Sequence, residues 1–174
     1  MVTETVDIYG TVLSGDDSGA FFAKGASLAG DTYKMEFIID PSYGNIAPPQ
    51  TYYSSIYVDG LPVNGGYPIS AEFTIVNSLG QTASVMIPSA PYSMASRDVA
   101  EATYKATGHV PGAPAGSSSA LSETLYYPPG TLDDNWVVRP PVTPLSKSLG
   151  SFSVYDHDGS AYGRLSATSV SVHY

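Results

Sequence analysis

The chain has 174 residues, no cysteine and a formal net charge of −9 at pH 7. Its length allows one domain with a sizeable core, and the lack of cysteine excludes disulfides, thiolate zinc sites and cysteine nucleophiles. The acidic balance argues against binding to nucleic acid or to an anionic membrane surface, because both select basic stripes. The sequence has no apolar run of about 18 residues, so we expect no membrane insertion.

Two-residue alternation of apolar and polar side chains predicts strands through the first half of the chain. The predicted strands cover residues 5–13, 31–40, 50–58, 67–76 and 81–87. Between the first two, residues 14–19 have the composition of a turn, in which we expect Asp16 and Asp17 to be solvated. Residues 20–30 then form an irregular connection, and one phenylalanine of the Phe21–Phe22 pair is expected to fill the core.

Residues 89–149 are expected to form a long irregular insertion or crossover between sheets. Within this segment, residues 93–105 have the only helix-like composition, with Ser96 as a candidate N-cap and Gly108 as a stop. The Gly/Pro/Ser-rich run 108–119 is predicted as a loop, and residues 120–127 as a further strand.

The last 25 residues predict a β-hairpin. Phe152 and Val154 alternate in the outgoing strand, and Ala161, Gly163 and Leu165 alternate in the return. The turn between them contains Asp-Gly, a strong hairpin signal. Many short strands with at most one short helix predict an all-β fold, an antiparallel β-sandwich or jelly roll, as a single domain over residues 1–174.

Three passages carry a resemblance to a known family: residues 9–41, with the run Gly25-Ala-Ser-Leu-Ala-Gly-Asp31 and the pair Asp40-Pro41, then residues 55–60 and 150–172. They resemble the extracellular β-rich domain of secreted proteobacterial proteins of the PEP-CTERM type, although these 174 residues contain no Pro-Glu-Pro sorting signal. The resemblance implies export to a cell-surface, matrix or exopolysaccharide setting, and it supplies no shared catalytic residues. We interpret Met1 as a start residue ahead of a mature exported domain.

Asp156 and Asp158 are candidate metal ligands. Carboxylates two residues apart, followed by a glycine, can present hard oxygens to one calcium ion, with loop carbonyls completing the shell. The alternative is a simple hairpin, in which Asp and Gly satisfy the geometry of the turn.

Aromatic residues indicate a second kind of site. The chain has 14 tyrosines; Tyr53 and Tyr57 share one face of a predicted strand, and Trp136 lies in the irregular segment. Such side chains present an apolar face to a sugar ring while their polar tips stay wet, so these three are candidate glycan-binding residues. The alternative is that tyrosine covers a half-exposed sheet.

An enzyme would need a catalytic constellation. Glu36 and Glu72 lie on predicted strands, opposite the apolar face, and are candidates for a glycosidase pair. His109, His157 and His173 are scattered, and no serine-nucleophile, phosphate-loop or zinc-protease motif is present. The sequence therefore favours a secreted or cell-surface, non-catalytic module that binds extracellular polysaccharide or calcium in adhesion or matrix. A polysaccharide hydrolase or lyase, and a surface-layer or fibre subunit, are the alternatives.

Overall fold

The computed structural model describes residues 3–43, 54–56, 66–88, 94–98, 101–128 and 147–174. Within these ranges the regular secondary structure consists of strands, apart from one short 3-10 turn at Pro41–Tyr43. The strands are β1 (Glu4–Asp17), β2 (Ala26–Ser27), β3 (Thr32–Ile39), β4 (Ser54–Ile56), β5 (Ile69–Val76), β6 (Thr82–Ile87), β7 (Met94–Asp98), β8 (Glu101–Gly108), β9 (Ser119–Tyr126), β10 (Lys147–Tyr155) and β11 (Ser160–His173).

All eleven strands belong to one antiparallel sheet. Its order is β4-β7-β8-β9-β10-β11-β1-β3-β5-β6, and β2 pairs with β1 off this path. The first and last long strands, β1 and β11, are therefore neighbours in the middle of the sheet, with Thr5 opposite His173. This arrangement confirms the all-β, antiparallel part of the predicted fold.

Alternation of side chains produces the core as predicted. In β3 and β5 every second residue is buried, and β1 has the same pattern over its first nine residues except at Asp7, which is also buried. The buried apolar residues of these three strands are Val6, Ile8, Val12, Tyr33, Met35, Phe37, Ile39, Ile69, Ala71, Phe73 and Ile75. They face the same side of the sheet, which we call the inner face, because a strand turns successive side chains to opposite sides.

The sheet is curled into a half-barrel around this inner face. The register between β1 and β11 shifts between Tyr9 and Gly10 and again between Val12 and Ser14, and such irregularities bend and twist a strand pair. As a result, strands that are distant in the sheet order meet across the interior. The ring of Phe37 on β3 stacks on that of Tyr104 on β8, with 5.6 Å between centroids.

Two glycines let large side chains lie flat on the inner face. A Cβ atom on Gly163 would lie 2.6 Å from the Phe152 ring and 2.6 Å from the carbonyl oxygen of Ser14. A Cβ atom on Gly150 would overlap the Glu123 carboxylate. The absence of side chains at these positions therefore makes room for Phe152 and Glu123 in the middle of the core.

The helix predicted over residues 93–105 is wrong. Residues 94–98 and 101–108 form β7 and β8, which pair with each other, and β8 also pairs with β9. Ala102, Tyr104 and Ala106 are buried on β8, which is the two-residue alternation of a strand with one buried face. Helix propensity is a weak preference that such packing overrides. With β9 and the start of β10, these strands replace much of the expected irregular crossover.

The solvated turn predicted around Asp17 is also wrong. β1 continues to Asp17, whose side chain is buried. Its carboxylate accepts hydrogen bonds from four consecutive backbone N–H groups, those of Gly19 through Phe22, at 2.5 to 3.3 Å. Asp17 therefore anchors the loop that follows β1.

That loop packs two half-buried aromatic side chains against the core. The ring centroid of Phe21 lies 5.7 Å from that of Phe73 and 6.1 Å from that of Phe152, and Phe22 packs beside Phe21. Both phenylalanines are half-buried and pack against the core, so the prediction that one of them fills it holds only in part; the fully buried residue of this segment is Leu28. The carboxylate of Asp17 thus fixes both the backbone of the loop and its aromatic contribution to packing.

Candidate functional site

A shallow groove crosses β1, β11 and β10 on the outer face of the sheet, with a volume of about 230 Å³. We call it the hairpin groove; it is lined by Ser14, Gly15, Asp16, Phe152, Tyr162, Gly163 and Arg164. The strand register explains its shape. Gly15 pairs with Gly163, and Gly163 pairs with Phe152, so the backbone of this row forms the floor.

The walls of the hairpin groove are polar and aromatic side chains from the two rows on either side of the floor. Asp16 pairs with Tyr162 on one side, and Ser14 pairs with Arg164 on the other. All four side chains point outward, because they alternate with the inward residues of the floor. The Tyr162 side chain is 57% exposed, which leaves much of its ring open to solvent.

Tyr162 and Asp16 are hydrogen-bonded to each other in the groove, whereas Arg164 has no carboxylate partner among the described residues. Tyr162 donates a hydrogen bond from its hydroxyl to Asp16 Oδ2 at 2.9 Å, and this bond to the carboxylate raises the pKa of Tyr162. The guanidinium of Arg164 makes no ion pair with a carboxylate in the described parts of the chain. The groove therefore combines a fixed aromatic ring and carboxylate with a guanidinium, whose five N–H donors have no carboxylate partner in the part of the chain that the structure describes.

A second cavity, of about 440 Å³, lies beside the turn that joins β10 to β11. We call it the turn depression; it is lined by Ser18, Lys24, Pro114, Tyr155, Asp156, His157, Asp158, Gly159 and Ser160. A backbone hydrogen bond from Asp156 N–H to the Gly159 carbonyl closes the turn, and another from Ser18 N–H to the Ser160 carbonyl holds the loop after β1 against it. The turn depression is thus lined by the loop after β1, by the turn between β10 and β11, and by Pro114 from the loop between β8 and β9.

The turn depression contains both predicted metal ligands. Asp156 Oδ1 accepts a hydrogen bond from the backbone N–H of His157 at 2.7 Å and lies 3.3 Å from its Nδ1. Asp158 Oδ2 lies 2.9 Å from Nε2 of the same ring. The two carboxylates thus contact opposite sides of one imidazole. In the described ranges no cluster of three or more His, Asp or Glu has the geometry to hold a metal ion.

The predicted glycan-binding residues Tyr53, Tyr57 and Trp136 lie outside the described residues. The structure instead places two exposed tyrosines, Tyr155 and Tyr162, on the outer face of the last hairpin. The sequence contained a signal for the second of them. Since Ala161 and Gly163 alternate inward, the residue between them must face outward.

Glu36 and Glu72 are brought together by the fold. They are directly opposite each other in the register of β3 and β5, a position in which Cβ atoms are about 5 Å apart. Lys34 Nζ lies 2.6 Å from Glu36 Oε2 and 3.0 Å from Asp7 Oδ1, and these bonds raise the pKa of Lys34. The glutamates lie on the outer face, and neither lines the hairpin groove or the turn depression.

The histidines do not converge in the structure. His109 follows β8, His157 lies in the last turn and His173 ends β11. His173 Nε2 is 3.6 Å from Asp7 Oδ2, whereas His157 contacts only its two neighbouring aspartates among the described carboxylates. These positions provide no shared catalytic centre built from histidine.

A buried carboxyl group on β9 was not singled out from the sequence. The Glu123 side chain is fully buried, and its Oε2 accepts a hydrogen bond from the Tyr33 hydroxyl at 3.1 Å, across the interior of the half-barrel. Burial raises the pKa of Glu123 to about 7, although hydrogen bonds from Ser148 and Tyr33 act in the opposite direction. Burial and the nearby carboxylate likewise raise the pKa of Tyr33. Position could have identified Glu123, since it alternates with Leu121 and Leu125.

Comparison with known proteins identifies no relative. No protein-family model matches the chain, and neither a curated protein nor a solved structure is significantly similar to it. Among the described residues, no helix has the length and apolar character needed to cross a membrane.

Proposed function

We propose that the chain is a non-catalytic carbohydrate-binding module and that the hairpin groove is its binding site. The observation that carries this proposal is the exposed ring of Tyr162 beside Asp16 and Arg164, over a floor of bare backbone. Sugar rings have apolar C–H faces and a rim of hydroxyl groups. An aromatic ring covers the apolar face of the sugar. A carboxylate accepts hydrogen bonds from the hydroxyl groups of the rim, and a guanidinium donates hydrogen bonds to them.

The shape of the groove also supports this class of ligand. Its floor is backbone, because Gly163 and Phe152 direct their side-chain positions to the inner face, so a flat ligand can approach the sheet closely. Its volume is smaller than the roughly 300 to 1,000 Å³ of pockets for drug-sized molecules, which fits a single sugar ring. The hydrogen bond between Tyr162 and Asp16 fixes both groups before the ligand arrives, and such preorganisation reduces the entropic cost of binding.

We expect Tyr162→Ala to weaken binding to polysaccharide by about tenfold, because the variant loses the aromatic surface under the sugar ring. The measurement is a screen of the intact chain on a glycan array and on insoluble polysaccharides, followed by titration of the best ligand. Tyr174→Ala is the matched control, since Tyr174 is an exposed tyrosine at the end of the chain, outside the groove. Absence of retention on every polymer would refute the proposed function.

The proposed setting is outside the cell, in adhesion or in an extracellular matrix. It follows from the resemblance of residues 9–41, 55–60 and 150–172 to the PEP-CTERM type of secreted domain. The two halves of the curled sheet face each other across aromatic residues such as Phe37 and Tyr104, which supports describing the complete fold as a β-sandwich or jelly roll. A hydrolase or lyase using Glu36 and Glu72, and a fibre subunit, are the competing proposals.

Calcium binding by Asp156 and Asp158 is a separate proposal, supported by their position in one exposed depression. His157 contacts both carboxylates, so a cation must displace its ring, and we expect binding only at roughly millimolar calcium. Calcium should then raise the melting temperature, and EDTA should reverse the increase. The variant carrying Asp156→Asn and Asp158→Asn should not respond. A melting temperature that calcium and EDTA leave unchanged in the unmodified chain contradicts this proposal.

A further inference from the structure

The hairpin groove and the turn depression lie end to end on the same strip of the outer face. The floor of the groove includes Gly163, and the depression reaches Ser160 on the same strand, β11. Three residues of a strand span roughly 10 Å, which is longer than one sugar ring. The two cavities together therefore extend beyond the space that a monosaccharide occupies.

Each cavity has its own exposed tyrosine, and the hairpin register sets the distance between them. Ser153 is opposite Tyr162, and Tyr155 is opposite Ser160, so Tyr155 and Tyr162 are diagonal neighbours on one face. Diagonal neighbours in an antiparallel pair have Cβ atoms roughly 7 Å apart. Tyr155 is 41% exposed and Tyr162 is 57% exposed, so both rings are accessible from solvent.

Hydrogen-bonding groups continue along the same strip. Ser153 lies on the outer face between the two tyrosines, and Ser160 continues this face into the turn depression. Lys24 lines the depression and Arg164 lines the groove, so each cavity contains a cationic donor. Each cavity thus contains one exposed tyrosine, hydroxyl groups and one cationic side chain. Two such cavities in a row match a ligand made of repeated units.

We propose, on the basis of the proposed function, that this strip binds a linear oligosaccharide segment, with Tyr162 and Tyr155 under two sugar units of the same chain. The groove binds one unit, and the turn depression binds a neighbouring unit. The ligand class is therefore a polysaccharide chain and not a free monosaccharide. Linking the two contacts in one ligand makes the second contact intramolecular, which raises the affinity for a chain.

The test compares monosaccharides with oligosaccharides of the same sugar. The probes are glucose, xylose and mannose, together with cellohexaose, xylohexaose and mannohexaose, titrated against the intact chain by calorimetry and by chemical shifts of the tyrosine rings. We expect at least one hexasaccharide to bind about tenfold more tightly than its monosaccharide. Tyr155→Ala should remove this advantage of the hexasaccharide, whereas Tyr162→Ala should weaken the binding of both the monosaccharide and the hexasaccharide. Tyr155→Phe, which keeps the ring, should behave as the unmodified chain.

The outcomes separate the two proposals. If a hexasaccharide binds no more tightly than its monosaccharide, or if Tyr155→Ala leaves its affinity unchanged, the two-site strip is wrong while the groove remains a sugar site. If none of the six probes binds, both proposals fail for these sugars and for their chains. Unchanged far-ultraviolet spectra and melting temperatures of the variants exclude misfolding as the cause of lost binding.

Discussion

Replacing Asp17 by alanine should lower the free energy of unfolding by about 3 to 4 kcal/mol. The carboxylate accepts hydrogen bonds from the backbone N–H groups of residues 19–22, and the variant leaves these donors without their acceptor. The loop also holds Phe21 against Phe73 and Phe152, so its release costs aromatic packing in addition. Urea unfolding followed by tyrosine fluorescence measures the loss.

Asp16 provides a matched control for this prediction. It precedes Asp17 in β1, but its side chain is exposed, and the one hydrogen bond that it accepts within the described ranges comes from the exposed hydroxyl of Tyr162. Asp16→Ala should therefore change the free energy of unfolding by no more than about 0.5 kcal/mol. Equal losses for the two variants would show that Asp17 does not act through its buried hydrogen bonds. Asp17→Asn keeps one acceptor oxygen, so its loss in the free energy of unfolding should lie between those of Asp17→Ala and Asp16→Ala.

Stability should fall as the pH rises from 5 to 8, and Glu123 should be responsible for roughly 2 to 3 kcal/mol of that fall. In the folded chain the pKa of Glu123 is raised from its ordinary value of 4.5 to about 7 by burial. Between these two values the folded state keeps a proton that the unfolded state has lost. The stabilisation is thus complete below pH 4.5 and is lost as the pH rises through 7.

The measurement is urea unfolding of the unmodified chain and of Glu123→Gln at pH 5, 6, 7 and 8. Glutamine keeps an acceptor for the Tyr33 hydroxyl and cannot ionise, so the variant should have a flatter pH profile, and the difference between the two profiles isolates Glu123. Glu72→Gln, the same substitution on the outer face, is the control for the change from glutamate to glutamine itself. Parallel profiles for Glu123→Gln would mean that this carboxyl group does not titrate in the range.

The sequence predicted those parts of the fold that depend on local alternation. Val6, Ile8, Met35 and Phe37 are buried as their spacing indicated, because a strand with one buried face must repeat every two residues. Residues 93–105 were predicted wrongly as a helix because their composition is compatible with both states. Pairing of β8 with β9 decides between them, and those pairing partners lie more than ten residues away along the chain.

The candidate site was predictable only in part. Asp156 and Asp158 could be placed in a turn because Asp-Gly between alternating runs has a local signature, and Tyr162 follows from the inward positions of its neighbours. The groove itself depends on the pairing of Asp16 with Tyr162, two residues that are 146 positions apart in the sequence. Pairing across such a distance follows from the sheet order, which alternation within single strands does not determine.

The pairing of β1 with β11 has a consequence for how the molecule is made. Thr5 is opposite His173, so the middle of the sheet joins segments that are far apart along the chain. A ribosome must therefore finish residue 173 before this pair can form, and closing so long a loop places the chain among slowly folding topologies. Until then β1 lacks this partner along one edge, and unpaired strand edges of this kind favour misassociation while a chain is still folding.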